Sequence, residues 1–286
     1  MLKLQTKVEC GRSSVQMSFS EGIVLLGSCF ADNIGARMAD AGFDVCANPF
    51  GTLYNPVSLA SAVDRLESGA PFGPEDCVEM GAGAGLWCSF HHHTSFARRT
   101  PEEFLEAANA SLADAHRRWE KAGLVILTLG TARCFRHRGS GEVVANCLKR
   151  PDREFIRETL SVEQTVSLLS GIVSRFPGKR FVITVSPIRH SADGAHGNQL
   201  SKSVLLLATD AVADGERVVY FPAYEIMMDE LRDYRFYAED MLHPTSQAVD
   251  YIWERFCDFA LPDGERQTLQ DNIKACRFAK HRPLTR

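Results

Sequence analysis

The chain lacks any apolar run long enough to cross a membrane. The longest, "AGLVILTLG" at 122–130, is far short of the ~20 residues a spanning helix needs. It also lacks CxxC spacing: the nine cysteines, at 10, 29, 46, 77, 88, 134, 147, 257 and 276, are an odd set scattered along the sequence. No stretch near the N-terminus resembles a signal peptide, so reduced thiols in a cytoplasm are expected. Basic excess is missing as well, and a net charge of −4 predicts no nucleic-acid partner. No glycine run has dinucleotide or P-loop spacing, which argues against a nucleotide cofactor. Internal repeats, low-complexity linkers and a second hydrophobic periodicity are all absent, so residues 1–286 are expected to form one domain.

What is present is an alternation of strand-like and helix-like segments. "GIVLLG" at 22–27, "LVILTLG" at 124–130 and "RFVITVSP" at 180–187 are short, rich in β-branched residues and bounded by glycine, proline or charge, as buried strands are. "FDVCANPF" at 43–50 and "RVVYFPAY" at 217–224 are weaker candidates. Helix starts lie between them: Thr100-Pro101-Glu102-Glu103 and Ser161-Val162-Glu163-Gln164 both read as capping boxes. Strands alternating with helices imply an α/β fold with a mostly parallel sheet of about five strands, covered on both faces. Residues 132–147, with "GSG" between β-rich flanks, break the alternation and suggest an inserted hairpin. The polar, basic stretch 263–286 predicts a peripheral helix ending before Pro283.

Ligands of open parallel sheets bind at the carboxyl ends of the strands, which directs attention to the residues after each one. These are Gly27-Ser28-Cys29, Asn48-Pro49-Phe50-Gly51, Gly130-Thr131, the run Ser186 to His190, and "EDMLHP" at 239–244. Asp240 and His243 are spaced so that a tight turn lets the carboxylate hold one imidazole tautomer and free the other nitrogen as a base. Taken alone, the same pair reads first as a turn cap and a packed histidine. Thr245 or Ser246 would cap the helix that follows Pro244. Asn48, Arg189 and His190 are candidate substrate contacts, the last two suited to an anionic or sugar substrate or, more plainly, to a salt-bridged loop. The run His91 to His93 invites a metal, but neighbours on an extended chain face opposite ways and no second ligand set accompanies them, so no metal is expected. With Trp87 and Phe90 nearby, one of these histidines, His93 as the candidate, is expected to line a substrate cleft. "LRDYRFYAED" at 231–240 would suit a carbohydrate-facing wall and reads first as a connection packing on the sheet.

The blocks "GSCFA" at 27–31, "NPFGTLYNP" at 48–56, "LGTARCF" at 129–135, "VANCLKRPDREF" at 144–155, "TVSPIRHSADGAHGNQLSKSVLL" at 184–206 and "YEIMMDELRDYRFYAEDMLHP" at 224–244 resemble, in consistent order, the GSCFA-domain family of bacterial proteins. That family is similar to the SGNH/GDSL hydrolases. The resemblance implies a flavodoxin-like three-layer α/β/α sandwich over about 20–265 and ester hydrolysis or acyl transfer.

Laid on the strand-Gly-Asp-Ser pattern, Ser28 takes the aspartate position and Cys29 the serine position. Cys29 is then the expected nucleophile, His243 its base and Asp240 the orienter, and the helix dipole and a nearby histidine are expected to lower the thiol pKa. Ser28 competes, since a one-residue shift would exchange the two, and Cys29 could instead be a small buried hydrophobe. The family pattern puts oxyanion donors at Gly51 and at an asparagine after the third strand. "GTAR" at 130–133 has no asparagine, so either Thr131 donates or Asn146 returns from the hairpin. The implied substrate is an O-acyl glycan or a thioester, with an acyl-donor thioester as a possible second substrate. The alternatives are an inactive carbohydrate-binding or assembly module on the same fold and, more remotely, a metal-dependent hydrolase.

Overall fold

The computed structural model describes residues 5–280. In chain order the first half contains β1 (Gly22–Gly27), α1 (Cys29–Asp40), β2 (Asp44–Ala47), α2 (Pro56–Ser68), the short strands β3 (Val78–Glu79) and β4 (Trp87–Cys88), and α3 (Pro101–Lys121). There follow β5 (Ala122–Leu129), β6 (Arg133–His137), β7 (Val143–Val144), β8 (Phe155–Thr159), α4 (Val162–Arg175) and β9 (Arg180–Val185). The last part holds α5 (Gly194–Val212), β10 (Val218–Phe221), the single turn α6 (Ala223–Glu225), α7 (Ser246–Ala260) and α8 (Arg266–Lys280).

The central sheet runs β2-β1-β5-β9-β10 and every pairing in it is parallel. β1, β5 and β9 match the apolar, β-branched runs of the sequence, and β2 and β10 fall within its two weaker candidates. Alternate residues of each face opposite layers: Val24 and Leu26 pack with α2 to α5, whereas Ile23 and Leu25 pack with α1 and α7. Two apolar cores thus sandwich the sheet. The chain leaves β1 for one edge and returns at β5 to build toward the other, so the order reverses between β1 and β5, where a crevice opens beyond their carboxyl ends.

The helix starts follow their caps. Ser161 makes the full reciprocal box with Gln164, Ser161 N–H to Oε1 at 2.8 Å and Gln164 N–H to Oγ at 3.2 Å. Thr100 makes half of one: its Oγ1 accepts from Glu103 N–H at 3.2 Å, while the Glu103 carboxylate takes Arg99 N–H instead of the cap's own. Thr245, not Ser246, caps α7, accepting from Ala248 N–H at 3.2 Å.

The inserted hairpin exists as β6 and β7, and β8 joins it to give an antiparallel ribbon in the order β7-β6-β8. β8, "FIRET", has mostly outward-facing residues, so its sequence carries too little hydrophobic pattern to announce a strand. α8 is peripheral and is tied to α1 through Asn272 Nδ2, which donates to Ala41 O at 2.9 Å. Pro283, where this helix was expected to have stopped, lies outside the described residues. No helix among the described residues is long and apolar enough to cross a membrane.

Candidate active site

The site begins where β1 ends. Gly27 has φ +146, and a Cβ there would sit 2.1 Å from Thr128 O, so only glycine lets β1 pass this close to β5. Ser28 N–H then donates to Thr128 O at 3.1 Å and the chain turns into α1. Ser28 is 1% exposed, and its hydroxyl faces inward. It caps α1 by accepting from Phe30 N–H at 3.3 Å and donates to Ser186 Oγ at 3.0 Å. Cys29 is the first helical residue, and it lines a cleft of about 740 Å³.

Behind this turn Asn48 acts as a clamp. It holds a left-handed φ of 43, accepts from Gly27 N–H at 2.8 Å and donates to Asp32 Oδ1 at 2.7 Å. Both ends of its amide are therefore engaged inside the protein, which removes it from the expected substrate contacts.

The Cys29 thiol is not acidified. Burial, with Asp32 adding its negative charge, pushes its pKa up to about 11, outweighing the N–H groups of Cys29 and Phe30 and the cation of Lys202. This overturns the expectation of a lowered pKa. The helix terminus is present, but the thiol is desolvated and the charge that acts on it most, Asp32, has the wrong sign.

His243 lines the same cleft. Its Nδ1 meets Asp240 Oδ2 at 2.6 Å, while Asp240 Oδ1 accepts from His243 N–H at 3.0 Å and Leu242 N–H at 2.9 Å. Those two backbone donors and the imidazole hold the Asp240 carboxyl down at about 2, so it is ionised throughout the physiological range. Donation of Nδ1–H to this carboxylate leaves Nε2 as the lone-pair nitrogen.

Of the expected oxyanion donors, Gly51 is excluded by geometry. Its N–H closes a turn on Asn48 O at 2.8 Å, and its α-carbon is packed so tightly that a Cβ would lie 2.4 Å from His93 Cβ. Thr131 lines the cleft, but its N–H donates to Tyr54 O at 2.9 Å and its hydroxyl is paired with Ser201 at 2.9 Å. Asn146 also lines the cleft. Its Oδ1 accepts from Leu148 N–H at 2.8 Å, and its Nδ2 has no protein acceptor among the described residues. The N–H of Cys29 itself, orphaned in the first turn of the helix, meets only its own sulfur.

Arg189 and His190 both line the cleft, as expected of substrate contacts. Burial, then Lys202, holds His190 neutral with its pKa down at about 4, and its Nε2 is buried without a partner. His93 does not reach the cleft: it caps the turn at residues 94–96, its Nδ1 accepting from Ser95 N–H at 3.2 Å. The three consecutive histidines diverge, with His92 sealed among Phe50, Phe72, Phe96 and Phe104 and His91 turned toward Asp76 at 3.9 Å.

Two residues of the site escaped the sequence reading. Lys202 is fully buried; its Nζ donates to Gly130 O and Ser186 O, 2.7 Å each, and so ties the ends of β5 and β9 beneath Cys29. Its pKa is pushed down to about 7 by burial. Lys202 lies on the buried face of α5 with Asn198, Leu205 and Thr209, a face too polar in sequence to mark the lysine as an interior residue. Tyr54 lines the cleft beside Cys29, with its ring edge-on to His190 at 5.8 Å.

The ribbon overhangs the site: Arg133 and Phe135 of β6, Val144 of β7 and Phe155 and Arg157 of β8 form one wall of the cleft. Asp193 pairs with both Arg133, at 3.3 Å, and Arg157.

Among known proteins, the GSCFA family model matches residues 22–256. No curated protein matches the sequence. Of solved structures, an acetyl xylan esterase, Est2A, from the rumen bacterium Butyrivibrio proteoclasticus aligns with a TM-score of 0.41 and 10% identity. That alignment covers 89% of this chain and 66% of the esterase.

Proposed function

Since this chain belongs to the GSCFA family, we propose that it is an SGNH-like hydrolase or acyltransferase that forms an acyl-enzyme on Cys29. The observation that carries the reading is one cleft lined by a helix-terminal thiol and by the imidazole of an Asp-His pair. His243 Nε2 takes the thiol proton as Sγ attacks the acyl carbonyl carbon. The resulting oxyanion is met by the Cys29 N–H at the positive end of α1 and by Asn146 Nδ2. Collapse breaks the ester or thioester bond, and His243 returns the proton to the leaving alcohol or thiol. Water or an acceptor hydroxyl then attacks the thioester with His243 again as base, the acyl carbon–Sγ bond breaks to release the acid or the new ester, and His243 returns the proton to Cys29 Sγ.

The raised thiol pKa sharpens this role for His243. A resting thiol needs its proton removed during attack, whereas a preformed thiolate would not. Ser28 is unsuited to the same task because its hydroxyl caps the helix from inside the protein. The substrate that fits this chemistry is an O-acyl ester, of glycan type, or a thioester.

An inactive binding module is the second reading, favoured by the loss of Gly51 as a donor. Peptide-resolved labelling with iodoacetamide and with an organofluorophosphonate, over about pH 5 to 9, separates the two. Site-specific alkylation of Cys29 that slows in His243→Ala, with p-nitrophenyl acetate turnover lost in Cys29→Ala, is the expected result. Turnover retained in Cys29→Ala, or fluorophosphonate labelling lost only in Ser28→Ala, would defeat the mechanism. Glycan binding with neither turnover nor Cys29 alkylation would favour the binding module.

A further inference from the structure

Three cavities share lining residues, and Arg189 lines all of them. The Cys29 cleft adjoins a cavity of about 460 Å³ through Arg189, His190 and Leu242, and that one adjoins another of about 460 Å³ through Arg189, Gln199 and Met228. The far cavity ends on Tyr224, Tyr234 and Tyr237. We infer that this groove, from His243 past Arg189 to Tyr234, is a binding site for the uncharged, polyhydroxylated chain of an extended glycan. The site stands on its own geometry; its meaning as a substrate subsite rests on the ester chemistry proposed for Cys29.

One segment carries both ends of the argument. Residues 233–244 hold Tyr234 and Tyr237 at the start and Asp240 and His243 at the end, pinned by a bridge between Tyr237 and Pro244 and by Ala238 N–H on His243 O at 2.8 Å. A ligand on the tyrosines is therefore in register with the imidazole. Tyr237 is held from two sides, by the Arg189 guanidinium 5.4 Å from its ring centre and by its hydroxyl on Met228 Sδ at 3.3 Å. Tyr234, its ring 6.2 Å from that of Tyr237, is 68% exposed. Rigid aromatic rings give apolar contact to the C–H face of a sugar at little conformational cost.

Charge decides against a phosphate-bearing chain. The tyrosine end carries two guanidiniums, Arg189 and Arg232, and two carboxylates, Asp229 and Asp233, with Arg232 3.9 Å from Asp229. A phosphate would meet both carboxylates. Hydroxyl groups donate and accept, and they match a wall that mixes carboxylates, guanidiniums and the Gln199 amide.

The test uses the full chain and unacetylated xylohexaose, cellohexaose and chitohexaose, so that binding is read by calorimetry without any chemistry. At least one hexamer is expected to bind about tenfold more tightly than its disaccharide, and Tyr234→Ala to weaken it about tenfold. Phe278→Ala, at an 84% exposed ring on α8 far along the chain from the groove, is the control and is expected to change nothing. Because the neighbouring cavity shares Arg189, His190 and Leu242 with the Cys29 cleft, a hexamer seated across these residues is also expected to slow alkylation of Cys29 by iodoacetamide severalfold.

Failure of every hexamer to bind overturns the inference. So does an equal response of Tyr234→Ala and Phe278→Ala, and so does binding that leaves Cys29 alkylation unslowed. Coenzyme A binding that is lost in Tyr234→Ala, in place of hexamer binding, reassigns the groove to a nucleotide thioester. Tyr234-dependent glycan binding without ester turnover would leave the groove standing and defeat only the acyl-transfer reading.

Discussion

The two halves of the proposed machinery are built in opposite ways. The nucleophile side is interior: Cys29 is held by a glycine that admits no Cβ, by the Asn48 clamp, and by a chain of bonds from Ser28 through Ser186 to Lys202. The base side is exterior: Asp240 and His243 sit on a loop between β10 and α7, with both side chains about half exposed and held mainly by bonds within residues 238–245. A buried thiol with a raised pKa needs a base that can approach it, and a loop supplies movement that a sheet end does not. The difference predicts that changes on the loop act on rate and changes under the turn act on stability.

The largest effect is expected on the loop. Asp240→Asn removes the charge that fixes the imidazole tautomer and stabilises the imidazolium, so kcat should fall about 10²- to 10³-fold. The unfolding midpoint should barely move, since the lost contacts are local and solvated. Steady-state turnover of p-nitrophenyl acetate beside a thermal melt makes the comparison; a large loss of stability with little loss of rate would reverse the division.

Lys202→Met tests the interior half. Two carbonyls at the ends of β5 and β9 lose their ammonium donor, and about 2–4 kcal/mol of unfolding free energy should go with it. The pH dependence is the more specific readout. The folded ammonium titrates near 7 against 10.5 when unfolded, so between these values the unfolded chain binds more protons and stability rises with pH. The slope is at most about 1.4 kcal/mol per pH unit for one proton. Buried thiols act the other way: Cys29, Cys46, Cys88 and Cys134 are raised to about 11, so stability falls as pH climbs above their unfolded value of 9.0. Wild type should therefore be most stable around pH 8 to 9, and urea unfolding of Lys202→Met should lose the rising limb while keeping the falling one.

Legibility in the sequence divides along the same line. The five central strands and the caps at Ser161 and Thr245 follow from local pattern, because burial on both faces and orphaned helix N–H groups leave marks at short range. Asp240 and His243 are legible for the same reason, being three residues apart in one turn. Gly51 and Asn48 read as site residues because they follow a strand, and His93 because Trp87 and Phe90 are near it in sequence. What withdraws them is long-range: the Asn48 amide is consumed by Gly27 and Asp32, and His93 packs on Gly51. Lys202 is illegible for the converse reason, since no local pattern reveals that carbonyls 16 and 72 residues away converge on its ammonium. The thiol pKa failed similarly: the helix terminus is written in the sequence, but the depth of burial is not.

The smallest effect belongs to the residue beside the nucleophile. Ser28→Ala removes the cap of α1 and the bond to Ser186 Oγ, and leaves Phe30 N–H without its side-chain acceptor. Caps of this kind are worth about 1 kcal/mol, so a lowered unfolding midpoint with kcat reduced only a few-fold is expected. The residual loss of rate should come from a looser Cys29, and it should appear equally in the alkylation rate and in turnover. If Ser28 were instead the attacking group, turnover would vanish while Cys29 alkylation stayed unchanged. The ratio of the two rates in this one variant, therefore, distinguishes a hydroxyl that shapes the turn from one that enters the reaction.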